Sequence, residues 1–197
     1  MDSTVTMAWE ILDRMERAVF KVRERLLKAT SFLNRAGVPY AVVGGHAVAS
    51  WVATVDEGAV RTTRDVDLLV RRSDLLAVAS ALEQAGFIRA EVLDVEMFLD
   101  GPDAKPSESI HLLFAGEKVR PDYSLPSPDL TTVDDPHGFR VITLESLIHM
   151  KLVSNRRKDQ VHIEDLIGVG LIDRSWIAKL PPPLAQRLQG ILDTPEA

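Results

Sequence analysis

The sequence predicts an α+β protein, a mixed β-sheet flanked by helices with a C-terminal helical portion. Three observations lead there. Short apolar runs at 40–43, 68–70 and 109–114 have the length of strands. Residues 42–70, VVGGHAVASWVATVDEGAVRTTRDVDLLV, read as strand, glycine turn, helix, loop and strand. At both ends of the chain apolar residues recur at helical spacing.

Taken in order, Ile11, Met15, Val19, Val22, Leu26 and Leu33 stand among charged residues and predict one long amphipathic helix, or two joined ones, over 7–35. Gly37 and Pro39 end it. Such a helix packs on the body of the protein or serves a dimer or partner interface. Residues 40–43 form a short buried strand, and 46–55 a helix whose inner face is Ala47, Val48, Trp51 and Val52. His46, just after the glycines, can contact a phosphate or base, or cap and pack. Asp56-Glu57-Gly58 opens a loop, and Arg61-Thr62-Thr63-Arg64 leads into the strand bearing Asp65 and Asp67. Thr63 can hydrogen-bond the strand entry, and Arg61 or Arg64 can pair with the aspartates.

Ser73 is a suitable N-cap for a helix reaching about Gln84, with Gly86 just past its end. Residues 87–93 and 95–99 read as strands joined in a hairpin around Asp94, followed by a polar turn at 101–107 and a strand at 109–114 carrying His111. The segment 116–138 holds Pro121, Pro126, Pro128 and Pro136 and reads as a long loop, fit for a lid or an interface arm. Val141-Ile142 add a short edge strand. Thr143 caps a helix to about Ser154, a second runs over 158–169, and the tail from Asp173 holds two short helical segments separated by Pro181-Pro182-Pro183. Three regions follow: 1–36 as a helix packing on the core, 37–142 as the α/β core, and 143–197 as a helical region.

The 197 residues suffice for one sizeable core. A hydrophobic share of 46% with 26% charged residues fits an ordinary soluble globular protein. No run approaches a membrane span, the N-terminus lacks a signal-peptide core, and the absence of cysteine excludes a disulfide framework and a Cys-ligated zinc site. The expectation is a cytoplasmic protein that does not insert in a membrane. A net charge of −6 argues against a surface that tracks nucleic acid throughout. Basic residues cluster locally at Arg61, Arg64, Arg71 and Arg72 and at Lys151, Arg156, Arg157 and Lys158, which suits one phosphorylated ligand.

Asp65 and Asp67, at i and i+2 of a strand, project from one face roughly 7 Å apart along the backbone. Two carboxylates so placed can share a magnesium ion, whose remaining positions go to water and substrate phosphates. Gly44-Gly45 removes side chains where a strand turns into a helix, letting backbone N–H groups and the helix N-terminus approach a triphosphate.

The Gly-Gly turn followed by Arg61-x-Thr63-x-Asp65-x-Asp67 resembles the active-site signature of the nucleotidyltransferase superfamily, the polymerase-beta-like fold. Lys151-Leu152, then Arg156-Arg157-Lys158-Asp159 and Glu164-Asp165-Leu166, resemble the pattern of its small bacterial branch, which includes the AbiEii-like toxins of toxin–antitoxin systems. The resemblance spans roughly 37–173. It implies that Asp65 and Asp67 hold magnesium, that Gly44, Gly45, Arg61 and Thr63 bind the nucleotide, and that Lys151, Lys158 and Asp159 close on it. The family's third carboxylate, a metal ligand that helps deprotonate the acceptor, has His111 at its expected place. The implied activity is magnesium-dependent transfer of a nucleoside monophosphate from a nucleoside triphosphate to a hydroxyl of RNA (tRNA included), protein or a small molecule, with His111 as base. The implied partner is a cognate antitoxin, and the N-terminal helix allows a second copy of the chain as another. The rival expectation is a protein of this fold that binds nucleotide or a partner without turnover; a third is an unrelated α/β protein with a surface acidic pair.

Overall fold

Residues 3–92, 95–105 and 108–194 are described in the computed structural model. The N-terminal periodicity becomes one 33-residue helix, α1 (Ser3–Arg35). Leu26, Ala29 and Leu33 carry its second half into the core, whereas Ile11, Met15 and Val19 remain exposed along the first half. Gly37, at φ +65°, turns the chain out of the helix toward β1 (Ala41–Val43). Helix α2 (Gly44–Ala53) starts at Gly44 itself, two residues before the expected start, because the strand runs into it without a linker. A 3-10 turn at Glu57–Ala59 follows, entered through Asp56, whose carboxylate accepts from the Gly58 N–H at 2.8 Å. The chain then reaches β2 (Val66–Val70).

Ser73 does not cap α3 (Leu75–Gln84). A 3-10 turn at Arg72–Asp74 intervenes, Asp74 takes the N-cap position, and the Ser73 hydroxyl bonds to Asp74 instead. Strands β3 (Ile88–Val92) and β4 (Val95–Leu99) pair antiparallel, as the alternation predicts; the turn expected around Asp94 lies outside the described residues. After β5 (Ser109–Phe114), the long proline-bearing segment contains a strand, β6 (Thr132–Asp134), which pairs with β7 (Arg140–Ile142). Strand β7 is therefore interior and not the expected edge, since β6 covers its outer side. Helices α4 (Leu144–Ser154) and α5 (Arg157–Gly168) meet at Asn155, which adopts the left-handed conformation that ends α4. Thr143 stands at the N-cap position of α4, but its hydroxyl bonds to Thr131 and not to the helix. A 3-10 segment at Arg174–Lys179 precedes α6 (Pro182–Asp193); the proline run opens this helix, where a missing N–H costs nothing. No helix among the described residues is long and apolar enough to cross a membrane.

The seven strands form one mixed sheet in the order β3-β4-β5-β2-β1-β7-β6. The β2–β5 and β1–β7 pairs are parallel and the others antiparallel. Alternation along each strand, carried across by the register, sorts side chains onto two faces. Val42, Val66, Leu68, Val70, Phe98, Ile110 and Leu112 share one face, all buried in the core with Leu26 and Leu33 of α1 and Val78 and Leu82 of α3. On the other face Ala41, Val43 and Leu69 lie under α2, which in turn packs on α4 and α5. That second face also bears Asp67.

The two halves of α1 differ in what they support. Truncation of fully buried Leu33 to Ala is expected to cost about 2–5 kcal/mol in urea denaturation, whereas Met15→Ala, at an exposed position of the same helix, is expected to stay within about 0.5 kcal/mol.

Candidate functional site

The close approach of β1 to β2 builds the first wall of the site. Their antiparallel register sets Val43 opposite Asp67, so the next residue, Gly44, must turn away directly beside that carboxylate. It does so at φ +68°, in the left-handed region, and a Cβ there would overlap the Asp67 carboxyl group. Gly45 is packed as tightly, since a Cβ would lie 2.7 Å from the Thr63 hydroxyl and 2.8 Å from its Cβ. The glycine turn and the segment Thr63 to Asp67 thus fit each other only without side chains on the former.

Asp65 immediately precedes β2 and Asp67 is its second residue; both are half-buried. The parallel register of β2 with β5 sets His111 beside Asp67. The imidazole Nδ1 lies 3.4 Å from Asp67 Oδ1, and Nε2 lies 3.0 Å from the Ser109 hydroxyl. Ser109 shares the face of His111 two residues earlier on β5, a placement that strand alternation implies although Ser109 belongs to no motif. His46, at the start of α2, is held below its ordinary pKa by burial, against the pull of the Asp67 and Asp65 charges, and its Nε2 is buried without a hydrogen-bond partner.

The second wall comes from the helical region. Asp159, at the third position of α5, is 1% exposed and gathers a network: Lys151 Nζ donates at 3.1 Å, Arg156 Nε at 2.7 Å and the Ser154 hydroxyl at 2.8 Å. Burial works to raise this carboxyl, but the Arg156 hydrogen bond and the Lys151 charge outweigh it and hold the pKa at about 2. Burial also pulls the Lys151 ammonium below its ordinary value, against the attraction of Asp159. Tyr123 of the 116–138 segment joins through its hydroxyl, 3.0 Å from Ser154 Oγ. Lys151 and Arg156 both feel the Asp67 charge, so this network lies within electrostatic range of that carboxylate. Ser154 and Tyr123 carry no motif signal; only the fold brings them here.

The remaining residues fall at the margin. Arg61 pairs with Asp165 of α5 at 2.8 Å, not with Asp65 or Asp67, and so ties the loop before β2 to the helical wall. Lys158 is exposed on the first turn of α5. His162, half-buried, is lowered to about 4 by desolvation and then by the charge of Lys151, and its Nδ1 has no partner. Among the described residues no group of three His, Cys, Asp or Glu side chains forms a metal cluster. Magnesium does not require one, since one or two carboxylates with phosphate and water suffice. The residues present fit that ion: hard carboxylate oxygens on Asp65 and Asp67, the latter lying against a turn that has no side chain to displace it.

Two outcomes follow. On the expectation that the site takes a nucleotide, Gly44→Ala should weaken that binding tenfold or more in calorimetry, because the new methyl displaces Asp67. Asp159→Asn is expected to destabilise the fold by about 3–5 kcal/mol by leaving buried Lys151 without its counter-charge, with part of the loss recovered by adding Lys151→Met. The pH sign follows from a folded pKa below the unfolded one. The wild type keeps the Asp159 contribution above about pH 4 and loses it as the pH falls through about 2. Denaturation of Asp159→Asn over that window should show the slope removed.

No family model matches this sequence, and no curated protein does. Among solved structures, the solution structure of the antibiotic-resistance factor ANT(2'')-Ia is 14% identical, with 87% of this chain and 89% of that one covered at a TM-score of 0.51. The crystal structure of ANT(2'')-Ia in complex with adenylyl-2''-tobramycin is 15% identical, covering 83% and 92% at a TM-score of 0.52. An antigenic nucleotidyltransferase-like protein from Paracoccidioides brasiliensis is 20% identical, covering 88% and 86% at 0.48. The first two likenesses show the fold, a nucleotidyltransferase-like mixed sheet flanked by helices.

Proposed function

We propose that the chain transfers a nucleoside monophosphate from a nucleoside triphosphate to an acceptor hydroxyl, with magnesium. The observation that carries this reading is the left-handed Gly44 turn lying against Asp67, with Asp65 two residues before it and His111 beside it. A side-chain-free turn at a helix N-terminus, facing paired carboxylates, suits a metal-complexed triphosphate. One fold relative is known in complex with adenylyl-2''-tobramycin, a small molecule bearing a nucleotidyl group, which supports the same reaction class.

On this reading Asp65 and Asp67 would hold the magnesium, which when bound offsets charge building on the phosphate oxygens during in-line displacement. Gly44 and Gly45 offer backbone N–H groups to the triphosphate, and Thr63 shapes their turn. Lys151, with Arg156 beside it, lends positive charge from the helical wall, and Lys158 does so from the first turn of α5. Asp159 acts as a positioning residue, since its oxygens are occupied by Lys151, Arg156 and Ser154. Arg61 holds the loop before β2 against α5 through Asp165. His111 takes the acceptor's proton, as an imidazole can near neutrality. The acceptor oxygen then forms a bond to the α-phosphorus as the bond to the bridging oxygen breaks, and pyrophosphate leaves. The likeness of the Lys151 to Leu166 pattern to AbiEii-like toxins extends the proposal to growth arrest relieved by a cognate antitoxin.

A second reading, binding without turnover, is favoured by the same His111 where the resemblance implies a carboxylate. Calorimetric titration of the four nucleoside triphosphates with magnesium, on wild type and on Asp65→Ala/Asp67→Ala, separates these readings when joined to pyrophosphate release. Transfer predicts tight binding that the double variant weakens tenfold or more, with release slowed about 10²-fold or more by His111→Ala at unchanged nucleotide affinity. Binding without release over RNA, protein and small-molecule acceptors supports the second reading, and no binding overturns both.

A further inference from the structure

We infer that two copies of the chain pair through the first half of α1, the two helices lying antiparallel about a two-fold axis. The inference stands apart from the transferase reading and concerns an interaction surface. Val22, Leu26, Ala29 and Leu33 step along α1 by three or four residues and are buried in the core, on the side of β2 and α3. Ile11, Met15 and Val19 continue the same steps toward the start of the helix. At 100° per residue these positions lie within an arc of about 80°. One apolar stripe thus runs along the helix, covered over its second half and open over its first.

The open part is continuous. Every residue over 13–21 is exposed, and along the stripe Ile11 is 47% exposed, Met15 60% and Val19 45%. From Ser3 to Lys21 the segment is about 28 Å long at 1.5 Å per residue. A helix of that length is marginal in water by itself, and helices in proteins draw most of their stability from packing an amphipathic face. The stripe calls for a cover of matching length.

The buried half decides the direction. A helix laid parallel on Met15 and Val19 would, a turn or two later, run into the body on which Val22 and Leu26 are packed. A helix laid antiparallel leaves past the start of α1, and its own body then lies at the opposite end of the pair. A second copy supplies such a helix with a stripe of equal length, so one isologous contact covers both. Charge agrees. Between Ser3 and Lys21 the acids Glu10, Asp13 and Glu16 balance the bases Arg14, Arg17 and Lys21, so the net charge of −6 lies outside the segment. Two acidic chains therefore meet at their neutral part. A two-fold axis near the middle of the segment puts Glu10 level with the stretch Arg14 to Arg17 of the other copy, whereas a parallel pair would put it level with another Glu10. An anionic bilayer gains nothing from a neutral helix.

Sedimentation equilibrium of the full chain tests this, on wild type, on Met15→Glu and Val19→Glu in the stripe, and on Arg17→Glu on the polar side of the same helix. Wild type is expected to show a monomer–dimer equilibrium in the micromolar range. Each stripe variant should raise Kd about tenfold or more, because it buries a carboxylate against an apolar surface. Arg17→Glu should leave Kd within about threefold, as for an exposed charge. Below the Kd the urea midpoints of all these proteins should agree, since the substituted positions are exposed in the monomer. The chain has no cysteine, so a spin label on Ser31→Cys, at an exposed position in the second half of α1, is unique in each copy. Antiparallel pairing sets the two labels about 50–60 Å apart at 1.5 Å per residue, and parallel pairing below about 30 Å. The inference is overturned by a label distance in the shorter range or by a dimer that ignores both stripe variants. It is overturned equally by a chain that stays monomeric to about 200 μM, including one that binds anionic phospholipid vesicles through the stripe instead.

Discussion

The Gly44 backbone stands where any side chain would meet the Asp67 carboxylate, and much of the candidate site is arranged by that contact. Because Val43 is registered opposite Asp67, the chain has to leave β1 at this point, and only a left-handed residue without a Cβ can do so. The turn then starts α2 at once, with its free N–H groups and positive dipole end near the two carboxylates. Such a helix end attracts phosphate, whereas Asp65 and Asp67 repel it. On the proposed reading a divalent cation between carboxylate and phosphate would reconcile the two tendencies, so nucleotide binding is expected to depend on metal.

The opposite wall uses a different device. Lys151 and Asp159 are both nearly inaccessible, and a buried ion pair is costly unless its remaining hydrogen-bonding capacity is met. Ser154 and Arg156 meet it on the acidic side, and the Arg156 backbone N–H adds a further donor at 3.3 Å. The left-handed Asn155 makes this possible, because it breaks the chain between α4 and α5 so that residues 151 and 159 face each other across the bend. Arg61 to Asp165 adds an exposed tie between this wall and the loop that leads to Asp65, worth little in stability but aligned with the site. The helical region is held by apolar burial, as the sheet is, with Leu147, Leu152, Ile163 and Leu166 fully buried, and the Lys151–Asp159 pair adds a charged tie near Asp67.

What the sequence made legible follows from how local the determinant is. The glycine turn, the i and i+2 aspartates and the strand carrying His111 are contiguous patterns, and each appears where alternation and turn chemistry place it. The Ser73 cap failed because serine at a helix start competes with the next residue, and Asp74 took the position after a 3-10 turn. Strand β6 has no signal in the sequence because three residues, all exposed, give no periodicity; the β7 pairing that stabilises them is not local. The same holds for Ser109, Ser154 and Tyr123, ordinary polar residues whose meaning lies in register and packing. Asp159 carried a motif signal, but its burial and its three side-chain partners appear only when α4 and α5 are folded against each other.

His111 stands on the border between two kinds of surface. A carboxylate in its place would put a third anion next to Asp67 and call for more positive charge in the same small volume. An imidazole held by Ser109 on one nitrogen and lying 3.4 Å from Asp67 on the other leaves the row less anionic one strand earlier. From there outward Met97 and Ala90 continue it without charge or hydrogen-bonding groups. Charge therefore declines stepwise across four strands, from Asp67 on β2 to the apolar β3. A group that must move a proton does best where one side is polar enough to receive it and the other excludes competing water. The position of His111 at that step supports the proposal that gives it a part in the chemistry; turnover decides between that role and a lost ligand.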